Sequence, residues 1–102
     1  MASRLELHEE FCSLLGNRHV YYQPPESVKI FYPAIIYEIS GHPSVAADDT
    51  NYLIRNTYDV TLIYEDPDST LPLRMLMWFP MVRHGKHYTS NNLIHDTFEI
   101  YW

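Results

Sequence analysis

A chain of 102 residues with 13 acidic and 7 basic side chains, net charge −6, is one domain long and carries the wrong sign for gripping phosphate. The lone Cys12 excludes an internal disulfide framework, and no apolar run reaches the length of a membrane span or forms a signal-peptide core. The expectation is a soluble protein of a reducing cytoplasm, a single domain over 1–102, with no membrane partner.

Ser3-Arg4-Leu5-Glu6 is a capping box, and Leu7, Phe11, Leu14 and Leu15 follow at helical spacing, with Leu5 and Cys12 broadening the stripe. Gly16 supplies the stop, so a helix is predicted over 4–15. Val20-Tyr21-Tyr22 reads as a short strand ended by Pro24-Pro25, and the stretch 29–32 as a brief extension before Pro33. The β-branched stretch 34–39 is a strong strand, broken at Gly41-His42-Pro43. The small, polar stretch 44–51 reads as an exposed loop. Over 53–65, Tyr58, Val60, Leu62 and Tyr64 share one strand face, and Asp59, Thr61, Ile63 and Glu65 the other, mostly polar one.

Asp66-Pro67-Asp68-Ser69 turns the chain into a short helix predicted over 70–79, with Leu73, Leu76 and Met77 as its apolar face and Phe79 near its end. A strand over 81–88, bent at Gly85, pairs through Ser90-Asn91-Asn92 with a last strand whose Phe98, Ile100 and Trp102 share one face. That strand is expected to close the fold with no tail after it. The predicted class is α+β: a single antiparallel sheet of about 4–5 strands with two helices packed on one face.

Six histidines raise a metal hypothesis, centred on His84, His87, His95 and Asp96. Positions three apart on a regular strand point to opposite faces, so His84 and His87 converge only if Gly85 marks a bulge. Asp66 and Asp68 are better explained as turn and cap residues than as cation ligands, and Asp48-Asp49 as a solvated loop or a contact for a basic partner. There is no nucleophile elbow, no phosphate-binding loop and no activating motif at Cys12. The expectation is no catalytic residues, no bound metal and no cofactor, with a small metal-dependent enzyme as the alternative.

Six segments in order carry a resemblance: Val20-Tyr21-Tyr22-Gln23-Pro24-Pro25; Tyr32-Pro33-Ala34-Ile35-Ile36-Tyr37; Ala47-Asp48-Asp49 with Tyr52; Tyr58-Asp59-Val60-Thr61; Asp66-Pro67-Asp68-Ser69; and His87-Tyr88 followed by Asn92-Leu93-Ile94-His95-Asp96-Thr97-Phe98. Together they make the chain, from about Leu5 to Trp102, resemble the small tail-completion or tail terminator proteins of tailed bacteriophages, a family of minor tail components. The loop reads Ala47-Asp48-Asp49-Thr50 where the family more often has Ala-Asp-Asn, and Ile94 stands where Asn is frequent.

The resemblance implies a virion protein without catalysis, assembled in the bacterial cytoplasm. Its copies form a ring, usually a hexamer, on the head-proximal end of the tail tube. The ring ends tube growth and joins the tail to a neck or head-completion connector. A related alternative is a head-closure protein. Six copies carry a charge on the order of −36, which lets genomic DNA pass without sequence-specific binding if carboxylates line the channel; solubility accounts for the charge slightly better. A ring needs heterologous interfaces, and the tyrosine excess nominates Tyr21, Tyr22, Tyr37 and Tyr64, with Asp48 and Asp49, as contacts.

Overall fold

The computed structural model describes residues 4–40, 44–47, 52–55 and 57–102, with only the backbone described at 44–47 and 52–55. Helix α1 (Arg4–Leu15) buries Leu7, Phe11, Cys12, Leu14 and Leu15 as its spacing predicts, and leaves Leu5 exposed. Gly16 closes it at φ +79°, a conformation glycine adopts without strain, and its N–H donates to the Cys12 carbonyl at 2.9 Å. Ser3 of the capping box lies outside the described residues.

Strands β1 (Val20–Tyr22), β2 (Ala34–Ile39), β3 (Ser44–Ala47), β4 (Tyr52–Arg55) and β5 (Thr57–Tyr64) follow; then come helix α2 (Leu71–Trp78) and strands β6 (Val82–Ser90) and β7 (Leu93–Tyr101). Five strands form one sheet in the order β1-β2-β5-β7-β6. The α+β class and the strand number agree with the expectation. The sheet is mixed, because β1 runs parallel to β2 while every other pair is antiparallel. The connection between β1 and β2 is long enough to return β2 to the same starting end, which a tight hairpin cannot do. The brief extension expected at 29–32 is not a strand.

The expected loop at 44–51 is also revised. Its first half is β3, which pairs antiparallel with β4 as a separate two-stranded sheet. The long strand expected over 53–65 is accordingly two strands, β4 and β5. Small residues such as Ala46 and Ala47 have low intrinsic strand preference, and pairing with β4 supplies what they lack.

The core lies between the helices and one sheet face. Tyr58, Val60 and Leu62 of β5 are buried there with Ile35 and Tyr37 of β2, Phe98 and Ile100 of β7, and Phe11 of α1. Aromatic rings bind this layer: Phe11 meets Tyr37 and Phe79 at centroid distances of 5.0 and 5.4 Å, in tilted contacts that suit their quadrupoles. Helix α2 departs from the sequence reading. Met75 and Phe79 enter the core, with Leu71 packed against it, while the predicted face of Leu73, Leu76 and Met77 is exposed. The segment Leu-Pro-Leu-Arg-Met-Leu-Met-Trp is apolar nearly all round, so periodicity alone could not choose between the two stripes.

Candidate functional site

Alternation along the strands divides the side chains between a helix-covered face and a second face, bare in that no described helix packs on it and its Glu38 and Asp59 are exposed. On the covered face, beyond the helices, β7 places Asp96 in register with Leu62 of β5 and His87 of β6. The β6–β7 register shifts between His84 and His87, which is the bulge that Gly85 suggested. A Cβ on Gly85 would lie 2.5 Å from Thr97 Oγ1, so only glycine fits, and the Lys86 N–H donates to that same hydroxyl at 2.6 Å. The extra residue turns both imidazoles to one side of the sheet.

Both imidazoles reach one carboxylate oxygen. His84 Nε2 and His87 Nδ1 lie 2.9 and 2.7 Å from Asp96 Oδ1, and the Tyr64 hydroxyl donates to Oδ2 at 2.5 Å. Only 3% of the Asp96 side chain is exposed, against 37% for His84 and 60% for His87. An ionised carboxylate can only accept, so both rings donate, and this fixes their tautomers. Burial pushes the Asp96 carboxyl up, but the hydrogen bonds from Tyr64, His84 and His87 together outweigh it and hold the group below the ordinary aspartate value. Burial first, and then the bond to Asp96, pushes the Tyr64 phenol well above its ordinary value.

The arrangement ties the edge strand β6 to the sheet. His95, the other histidine of the metal hypothesis, is on the opposite face, stacked on Tyr88 at 4.8 Å with its Nδ1–H directed to the Leu93 carbonyl. Among the described residues, no group of three or more His, Cys, Asp or Glu is disposed to hold a metal ion.

The expected contact residues fall in different places. Tyr37 and Tyr64 are corrected: both are buried in the core, where they fill space and make hydrogen bonds, and neither presents a surface. The Tyr37 hydroxyl faces Arg4 at 3.1 Å and His8 Nδ1 at 2.8 Å. Tyr22 is half-buried under the Arg4 guanidinium, 4.3 Å from its ring centroid. Tyr21 is half-buried too, and its hydroxyl accepts the Phe31 N–H at 3.3 Å. Asp48 and Asp49 lie outside the described residues.

One surface escaped the sequence reading, and a second was read only as a polar face without its alignment. Leu73, Leu76, Met77 and Trp78 of α2, with Met81 just beyond, stand exposed; Met77 is 78% accessible, and a groove of about 370 Å³ runs past Thr70, Leu73 and Met77. The bare sheet face carries a row of charge. Glu38 stands opposite Asp59, Asp59 opposite Glu99, and Glu99 opposite Arg83. Alternation places each residue on its face, but only the register aligns them, and a single sequence does not contain the register. Comparisons with protein families, with curated proteins and with solved structures return no match for this chain.

Proposed function

We propose that this chain is a structural ring subunit of a tailed bacteriophage. It caps the head-proximal end of the tail tube, ends tube polymerisation and joins the tail to the neck or head connector. The observation that carries this reading is the amount of surface left uncovered. Among the described residues, the sheet face away from the helices exposes Glu38 and Asp59, and five large apolar side chains stand exposed on and beside α2. Contiguous exposed apolar surface on a small domain marks protein contact. The six-segment resemblance gives that contact its setting.

The buried cluster supports a structural role, since its one ionised carboxylate is spent on three hydrogen bonds that secure a strand. The acidic balance suits a ring through which DNA passes without sticking. Partners in this reading are further copies of the chain, the tube protein and a connector protein, and the location is the virion.

The deciding experiment is deletion of the gene, followed by electron microscopy of the particles. Overlong or defective tails beside filled heads are expected. Normal tails beside heads that leak DNA would move the protein to head closure. A chain absent from mature virions would overturn both readings.

A further inference from the structure

The row on the bare face sets three carboxylates side by side. Glu38, Asp59 and Glu99 occupy directly opposed positions on β2, β5 and β7, where neighbouring strands lie about 4.8 Å apart. Like charges so placed repel. Glu99 accepts the Tyr101 hydroxyl at 2.7 Å, whereas among the described residues Glu38 and Asp59 make no ion pair. Both line a recess of about 240 Å³, together with Gln23, Pro24, Ile36, Tyr37 and Thr61. Its volume and its two carboxylates suit the head of a lysine or arginine.

Among the cations whose side chains are described, few could fill it. Arg18 is paired with Glu9, Arg4 sits on Tyr22, Arg74 donates to the Leu14 carbonyl, and Lys29 lies over Phe31. Arg83 and Lys86 remain, exposed on the edge strand β6 and making no ion pair among the described residues. Three strand spacings, about 14 Å, separate β6 from Glu38, and two, about 10 Å, separate it from Asp59. Among the described residues, neither cation pairs with the recess of its own copy. The acidic recess lies on β2 and the central strand β5, and the two cations lie on the β6 edge.

We propose that the β6 edge of one copy, through Arg83 and Lys86, docks on the Glu38–Asp59 recess of the next. Complementary patches at two different places on one chain make a head-to-tail contact, the kind that closes into a ring. The inference rests on the ring-subunit reading and names the surface that ring would use.

Tag-free full-length protein tests it by light scattering across a concentration series. Four chains are compared: the native one, a recess variant (Glu38→Gln with Asp59→Asn), an edge variant (Arg83→Gln with Lys86→Gln), and a mixture of the two variants. All four positions are on the surface, and circular dichroism checks that folding is retained. The native chain should associate, and at least ten-fold more weakly in high salt. Each variant alone should stay monomeric. The mixture should form a complex of two chains and stop there, because one intact recess meets one intact edge. A native chain that stays monomeric to millimolar concentration, a variant that associates like the native chain, or a mixture that stays monomeric overturns the inference. If microscopy still finds the chain as a ring on tails, the ring reading survives such a failure. If the mixture pairs but virions lack the chain, this contact stands and the ring reading falls.

Discussion

On the helix-covered face of the sheet, Tyr37, Leu62 and Phe98 lie buried among α1 and α2, and the one carboxylate admitted there, Asp96, receives three hydrogen bonds. On the bare face, the same strands line up Glu38, Asp59 and Glu99, with one hydroxyl from Tyr101 and one guanidinium in register at the end. Burial makes charge so costly that the covered face satisfies its own internally. Water removes that pressure from the bare face, so its charges are free to be arranged for something outside the molecule. A carboxylate on the covered face therefore reports on stability, and one on the bare face reports on contact.

The largest effect expected from this contrast is at Asp96. Asp96→Ala strips the buried Tyr64 hydroxyl of its acceptor, releases both imidazoles and leaves a void, for a cost of about 2–4 kcal/mol. Asp59→Ala removes a carboxylate of the same chemistry for almost nothing. Urea denaturation of the two variants measures the difference, and equal losses would abolish the distinction between the faces. The pH profile carries the same information. The folded Asp96 carboxyl is held below its unfolded value, so its contribution is complete above the ordinary aspartate range and fades as pH falls through the folded value. The native protein should lose stability in acid more steeply than Asp96→Asn; parallel profiles would show that this carboxylate is not the group responsible.

Much of the covered face was legible in the sequence, because hydrophobic period and burial are two descriptions of one constraint. Leu7, Phe11 and Leu14 on α1, and Tyr58, Val60 and Leu62 on β5, could be placed from spacing alone. The convergence of His84 and His87 hung on whether Gly85 marked a bulge, and the register shift supplies it. What escaped was decided between elements. Helix α2 carries two apolar stripes, and packing against Phe11 and the sheet selects the one ending at Phe79. The tyrosine excess nominates Tyr37 and Tyr64 as contacts, although spacing sets Tyr64 beside Leu62, and their hydroxyls find partners inside, Arg4 and His8 for one and Asp96 for the other. The charged row exists only once β2, β5 and β7 are aligned.

Gly85 sharpens the comparison because it links the faces: its bulge aims two histidines at the covered side while its backbone lies against Thr97 on the other. Gly85→Ala drives a methyl to 2.5 Å from Thr97 Oγ1 and should cost about 1–3 kcal/mol in chemical denaturation. Adding Thr97→Ala removes the obstructing hydroxyl along with its bond to the Lys86 N–H. The double variant should therefore lose less than the sum of the two single ones, since the clash and the lost bond share one atom. Strict additivity would place the strain elsewhere in β6.

The smallest effect has the opposite sign. Asp59 sits between Glu38 and Glu99, so neutralising it relieves repulsion on both sides. Asp59→Asn should stabilise the monomer by roughly 0.2–1 kcal/mol, measured as a rise in the urea midpoint at low ionic strength. The gain should shrink as salt shortens the Debye length from ~30 Å at 0.01 M to ~3 Å at 1 M. A surface residue whose removal stabilises the isolated chain is retained for a purpose other than folding, and here the neighbouring recess supplies one. If Asp59→Asn instead destabilises the monomer at every ionic strength, the carboxylate serves its own sheet, and the bare face loses its claim to be arranged for a partner.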